Sequence, residues 1–149
     1  MVAGWLLKTE PEEYAFADLQ REGQAPWDGV RNPQAQRYLR AMAVGDHCVV
    51  YHTGAERAAV GLAEVVRAAY PDPADPTGRA VLVDIRAVAP LPRRVPLARL
   101  RAEPVFAHSA LVRQPRLSVV PLDAAQWAAL LALAGAPEAF TTGSERGGA

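Results

Sequence analysis

The chain has 149 residues, half of them hydrophobic and 21% charged, which predicts one soluble globular domain. Its 16 basic and 16 acidic residues cancel, which argues against a protein that holds nucleic acid mainly by bulk charge. No apolar run approaches a membrane span, no signal peptide is recognisable, and the single cysteine, Cys48, excludes an internal disulfide. These features predict a cytoplasmic monomer without a membrane partner.

Hydrophobic patterning predicts the elements in chain order. Alternating or β-branched stretches predict strands at residues 4–9, 47–53, 58–69, 79–87 and 117–122. Helical spacing of apolar residues predicts helices at residues 14–22, 33–42 and 124–134, the last capped by Asp123. Single helical turns are expected near residues 97–101 and 106–112, and a loop at residues 23–26.

This order of elements predicts an α+β domain around a curled antiparallel or mixed sheet. Its strands do not alternate regularly with long helices, so a doubly wound sheet is disfavoured. Residues 1–136 are predicted to form the domain. Residues 137–149 are polar, small and glycine-rich, which predicts a disordered tail.

Charge is distributed unevenly along the sequence. Seven arginines and one acid, Glu103, lie between Arg86 and Arg116. Such a stretch either forms a local positive surface that steers an anionic partner or lies scattered over a solvated face.

The usual catalytic and metal-binding motifs are absent from the sequence. His47, His52 and His108 lack the spacing and cysteine partners of a zinc site, so no metal and no cofactor are expected. There is no Gly-rich phosphate loop and no serine nucleophile motif, so no catalytic residue is assigned.

Residues 27–32 (WDGVRN) lie just before the helix that begins at Pro33. Trp27 offers a flat face for stacking, and Arg31 and Asn32 can bind phosphate or a base edge, which together indicate a pocket for a planar ligand. The alternative is structural: Asn32 before Pro33 is typical of an ordinary helix N-cap, and Trp27 then belongs to the core.

Polar residues also collect where predicted strands begin or end. The first strand closes with Lys8, Thr9 and Glu10, another closes with Tyr51, His52 and Thr53, and the start of the last is flanked by Arg116 and Ser118. If these ends converge at one mouth of a small barrel, they form a ligand pocket with a few polar groups among apolar walls.

Six short segments together resemble the EVE domain family of the PUA-like superfamily. They are residues 5–11 (WLLKTEP), 27–32 (WDGVRN), 45–46 (GD), 51–53 (YHT), 70–72 (YPD) and 116–119 (RLSV). The resemblance covers roughly residues 4–133 and implies a PUA-like pseudo-barrel of mixed strands with short peripheral helices. It also implies a non-enzymatic module that recognises a modified nucleobase in DNA or RNA.

The resemblance assigns roles to nine residues. Trp27 would form a wall or stacking face, and His52 would line the pocket. Thr9, Asn32 and Thr53 would hydrogen-bond to the base edge. Lys8, Arg31 and Arg116 would meet phosphate or fix the shape of the pocket, and Ser118 is a further candidate. On this hypothesis, Trp27→Ala abolishes binding with little loss of fold.

Two departures and one alternative accompany the resemblance. Ala15 replaces a frequent serine, which removes an expected helix cap. Thr9 and Thr53 replace serines, and their methyl groups narrow the pocket.

The alternative function is a small amidohydrolase acting on a modified nucleoside, like ASCH-type relatives that use Lys, Thr and Glu. Lys8, Thr9 and Glu10 have those side chains, but strand alternation points Thr9 away from the other two.

Overall fold

The computed structural model describes residues 1–137, and the predicted tail from residue 138 onward lies outside the described residues. The described chain forms a mixed sheet with short helices around it, which confirms the predicted α+β class. The six strands are β1 (Gly4–Thr9), β2 (Gln24–Trp27), β3 (His47–His52), β4 (Ala58–Pro71), β5 (Val81–Pro96) and β6 (Val119–Leu122).

The sheet has the order β2-β5-β4-β3-β1-β6. β1 pairs in parallel with β3, and every other neighbouring pair is antiparallel. The two long strands, β4 and β5, pair with several register shifts. Such irregularities bend strands and increase their twist, so they favour a curled sheet over a flat one.

Two stretches differ from the sequence-based prediction. Residues 24–26 of the predicted loop form, together with Trp27, the short edge strand β2, which pairs with β5 from Gln24↔Arg86 to Trp27↔Val83. β5 continues past residue 87, where the predicted strand ended, as far as Pro96. The prolines of this extension, at positions 90, 92 and 96, lie at or next to a register shift or at the strand end, where a missing N–H group is tolerated.

Five short α-helices surround the sheet in the described part of the chain. They are α1 (Phe16–Glu22), α2 (Pro33–Ala41), α3 (Leu97–Arg101), α4 (Ala110–Arg113) and α5 (Ala124–Leu133). A single 3-10 turn covers Pro104–Phe106. The predicted helices near residues 14–22, 33–42 and 124–134 are confirmed, as is the turn at 97–101.

α1 packs on the sheet through a glycine. The ring of Phe16 lies so close to Gly61 on β4 that an added Cβ would sit 2.4 Å from it. The register of β4 against β5 also shifts next to Gly61, so a strand irregularity and a close approach of the backbone coincide at this residue. The α1–β1 connection is therefore held tightly against the sheet, and this connection lines the cavity described next.

The interior is a single apolar cluster beneath the helices. Cys48 lies in it with no exposed surface, and burial raises the pKa of its thiol, so it is an inert core residue. None of the helices among residues 1–137 is long and apolar enough to span a membrane.

Candidate functional site

An open cavity of about 570 Å³ lies at one end of the sheet. Its walls come from the end of β1, from β2 and its following turn, and from Ser118 beside β6. β2 and β6 are the two edge strands of the sheet, so the sheet curls until its edges border one cavity. This is the convergence of strand ends that the sequence predicted. The lining residues are Lys8, Thr9, Glu10, Glu13, Tyr14, Glu22, Ala25, Pro26, Trp27, Asp28, Gly29, Val30 and Ser118.

Two aromatic side chains form the apolar wall of the cavity. Trp27 retains 5% of its surface exposed, and its ring meets Tyr14 edge-on with the centroids 6.2 Å apart. Trp27 is thus a core residue that presents one part of its surface to the cavity. This burial limits the stacking role that the resemblance implied, and it changes the expected effect of Trp27→Ala on the fold.

The Tyr14 hydroxyl is fixed by a carboxylate. It donates a short hydrogen bond to Glu22, and burial together with this bond raises the pKa of Tyr14 well above its usual value. Thr9 Oγ1 donates to the Tyr14 carbonyl at 2.7 Å, which fixes the hydroxyl of Thr9 and leaves its oxygen lone pairs free to accept.

Lys8 enters the cavity as the one ammonium group among its lining residues. Its Nζ donates to the carbonyl of Pro115 at 2.9 Å and lies 5.8 Å from the centroid of the Tyr51 ring. Burial lowers the pKa of Lys8. The ammonium therefore ties β1 to the segment before β6, which favours a role in the shape of the cavity.

Carboxylates dominate the cavity. They are Glu10, Glu13, Glu22 and Asp28. Sequence reasoning placed Glu10 and Asp28 in segments that could converge on a pocket, but it gave no carboxylate a ligand-binding role. Glu10 accepts from the Thr53 hydroxyl at 3.3 Å, and Glu22 accepts from Tyr14. For Glu13 and Asp28, no side-chain hydrogen bond or ion pair occurs within residues 1–137, so their oxygens remain available to a ligand. The run Glu10 to Glu13 directly after β1, with Asp28 directly after β2, was the available signal.

Two polar residues that the resemblance assigned to the ligand instead complete helix ends. Asn32 Oδ1 accepts from the backbone N–H of Ala35 at 3.0 Å, so Asn32 is the N-cap of α2. His52 Nε2 accepts from the backbone N–H of Phe16 at 3.0 Å, at the start of α1. Neither lines the cavity, and the structural alternative for Asn32 is the one observed.

The His52 contact also explains how α1 tolerates Ala15 at its N-cap. Alanine has no side-chain acceptor, so the first N–H of the helix needs another partner. The imidazole of His52 reaches it from β3, while Asp18 Oδ2 accepts from the Ala15 N–H at 2.8 Å. His52, which is distant in sequence, therefore supplies the acceptor for α1 that Ala15 lacks.

The remaining predicted residues lie around the cavity. Thr53 borders it indirectly through its bond to Glu10, and Arg116 is exposed and does not line it. Arg31 lines a second, neighbouring cavity. The cavity thus brings together Lys8, Thr9, Trp27 and Ser118 from the predicted set.

The geometry also bears on the enzymatic alternative. Thr9 donates its hydroxyl hydrogen to the Tyr14 carbonyl, and Lys8 donates to the Pro115 carbonyl, so each is engaged with backbone. No hydrogen bond joins the two side chains, as activation of a threonine nucleophile by Lys8 requires. Within residues 1–137, no group of three or more His, Cys, Asp or Glu side chains is arranged to hold a metal ion.

The chain is therefore a small α+β domain whose curled mixed sheet leaves a polar cavity between its edge strands. The EVE domain family matches residues 3–133, and the chain belongs to this family.

Known relatives agree with this assignment. Human thymocyte nuclear protein 1 (THYN1) is 31% identical in an alignment 164 residues long with its gaps, which covers 87% of this chain and 72% of the relative. An NMR structure of a protein from Rhodopseudomonas palustris is 41% identical, with 90% and 94% of the two chains covered and a TM-score of 0.84. The crystal structure of human THYN1 in complex with DNA containing 5-methylcytosine is 28% identical, covering 88% and 96%, with a TM-score of 0.81.

Proposed function

We propose that this EVE domain binds DNA by taking a modified nucleobase into the cavity bordered by Trp27 and Asp28. The observation that carries the proposal is the cavity itself, which joins an aromatic wall to carboxylates with uncommitted oxygens. The related human THYN1 was crystallised with DNA containing 5-methylcytosine, which supports a methylated cytosine as the first ligand to test.

The charge of the cavity favours a base over a phosphate. Four carboxylates and one ammonium line it, so a phosphate group placed there would meet like charges. Carboxylate oxygens instead accept hydrogen bonds from an exocyclic amino group, as Glu and Asp do from N4 of cytosine. Asp28 and Glu13 are the candidates for this contact because their oxygens are uncommitted among the described residues.

The energetics are feasible for a base that leaves its stack. Extruding a base from a duplex costs a few kcal/mol, and less from a single strand. Contact with an aromatic wall contributes about 1–3 kcal/mol, and a well-placed polar pair contributes a similar amount. Because the net charge of the chain is zero, selectivity rests on the cavity rather than on general attraction to DNA.

The test is equilibrium binding of the purified protein to oligonucleotides with and without 5-methylcytosine, single- and double-stranded. We expect tighter binding of the modified strand by the wild type. Asp28→Ala should weaken the binding of both strands by about tenfold, because cytosine and 5-methylcytosine carry the same N4 amino group. Glu12→Ala is the matched control, since Glu12 is an exposed acid near the cavity that does not line it. Equal binding of both strands would refute the proposal. A nucleoside altered in mass after incubation would instead establish the enzymatic alternative.

A further inference from the structure

A second cavity, of about 670 Å³, adjoins the first and has the opposite electrostatic character. Gly29 and Val30 border both cavities, so one short segment separates them. The second cavity lies between α2 and the loop of residues 72–80, and we call it the arginine groove. Its charged residues are Arg31, Arg37, Arg40, Arg79, Asp72 and Asp75.

The two acids of the arginine groove are committed to their own loop. Asp75 accepts from the backbone N–H groups of Thr77, Arg79 and Ala80, at 3.0, 3.1 and 2.7 Å, and from the Thr77 hydroxyl. Asp72 Oδ1 accepts from the Ala74 N–H at 2.8 Å. These carboxylates hold the loop in place and are not paired with the guanidinium groups.

The four guanidinium groups of the groove lack carboxylate partners. Among residues 1–137, none of them lies within 4.0 Å of an Asp or Glu oxygen, whereas Arg86 and Arg94 elsewhere do form ion pairs. All four residues are exposed. The two carboxylates of the groove offset only half of the four positive charges and pair with none of them directly, so an anion bound among the guanidinium groups relieves their mutual repulsion.

The groove is built on a fixed backbone. On α2, Arg37 and Arg40 share a helical face with Gln36, opposite the apolar face that contains Leu39. Gln36 is buried, donates to the Val30 carbonyl at 2.7 Å and accepts from the Val81 N–H at 2.9 Å. Arg40 donates to the carbonyl of Arg79 across the groove. Its walls are thus held at a set separation before any ligand binds.

We propose that the arginine groove binds the phosphodiester backbone of the strand whose base occupies the acidic cavity. The inference rests on the proposed function for the identity of that strand. The acidic cavity repels phosphate and the groove attracts it, and only the 29–30 segment lies between them. The base and its flanking phosphates are therefore separated into two sites of opposite charge.

The sequence left two alternatives open for the arginine-rich stretch from Arg86 to Arg116, a positive surface or arginines scattered over a solvated face. These arginines line neither cavity, and several of them have other contacts. The proposed phosphate-binding arginines lie instead on α2, on the segment before it and on the 72–80 loop. Among the four arginines of the groove, Arg31 is the one to which the family resemblance had assigned phosphate binding.

The experiment measures binding of two single-stranded oligonucleotides, with and without one 5-methylcytosine, across a salt series. The variants are Arg37→Gln and the double variant Arg31→Gln/Arg37→Gln. The control is Arg99→Gln, because Arg99 is an exposed arginine on α3 that lines neither cavity. For each arginine removed, we expect affinity to fall about fivefold at 0.1 M salt and the salt slope to fall by about 0.7. The fall should be equal for both oligonucleotides and absent from the control.

The outcomes separate the two proposals. If the wild type prefers the modified strand but the groove variants bind like the wild type, the groove proposal is overturned and the base proposal stands. If the wild type shows no preference while the groove variants weaken both strands, the base proposal fails and the groove stands. Loss in Arg99→Gln as large as in Arg37→Gln, or no binding of either strand by the wild type, overturns the groove.

Discussion

Individual side chains in this protein divide between the ligand cavity and the ends of helices. Asn32 and His52 belong to types that read base edges, yet both satisfy backbone N–H groups at the start of α2 and α1. A free helix N-terminus requires such partners whether or not a ligand is bound. The motif residues of this family therefore include structural members that residue type alone does not distinguish from ligand contacts.

Asn32 gives a direct test of this distinction. Asn32→Ala removes the cap of α2 and is expected to lower the free energy of unfolding by about 1 kcal/mol. Asn32→Ser keeps an equally good, uncharged cap and is expected to retain wild-type stability. Urea denaturation checks both values, and oligonucleotide binding by both folded variants should match the wild type. If Asn32 reads a base edge instead, the serine variant loses binding at unchanged stability.

At the scale of elements, local sequence patterns predicted most strands and helices because each carries its own periodicity. β2 was missed because four residues containing Pro26 show no alternation, and its strand character comes from pairing with β5. The extension of β5 past residue 87 was missed because its prolines resemble a loop, while its partner β4 lies far from it in sequence. Whether such segments become strands depends on their pairing with segments that are distant in sequence. A short stretch of sequence carries no information about that pairing.

The loop of residues 72–80 provides a prediction about pH. Hydrogen bonds from Ala80, Thr77 and Arg79 lower the pKa of Asp75 from 3.8 to about 2. Because the folded-state pKa is depressed, the stabilisation is present above about pH 4 and is lost as the pH falls towards about 2. Asp75→Asn should therefore be less stable than the wild type near neutral pH, and the two should converge between about pH 4 and 2.

Urea midpoints of the two proteins between about pH 2 and 6 measure this convergence. A constant difference over this range would show that these hydrogen bonds do not stabilise the folded state.

At the scale of the whole molecule, the candidate site exists because the sheet curls until its two edges share a cavity. The sequence predicted that the polar ends of three strands and the segment of residues 27–32 would converge. From that set, the cavity is lined by Lys8, Thr9, Trp27 and Ser118, whereas His52, Thr53 and Arg116 do not line it. It did not predict the acidic wall. Carboxylates on turns are usually solvated, and only the three-dimensional arrangement shows that those after β1 and β2 face one space. The arginine groove was hidden for the same reason, because α2 and the 72–80 loop are joined only in the fold.

Trp27 connects the stability of the whole molecule to its candidate function. Trp27 keeps only 5% of its surface exposed, and it also borders the cavity. Trp27→Ala is therefore expected to lower the free energy of unfolding by about 3–5 kcal/mol. That is a large part of the 5–15 kcal/mol typical of a whole domain. Trp27→Phe keeps an aromatic wall and should lose less stability and part of the selective binding. Leu130→Ala, a core truncation on α5, is the control that lowers stability without changing the selectivity of the folded protein. Urea unfolding and oligonucleotide binding, compared at a temperature where all four proteins are folded, separate the two effects. Wild-type stability in Trp27→Ala would place this side chain outside the core, and wild-type selectivity would remove it from the site.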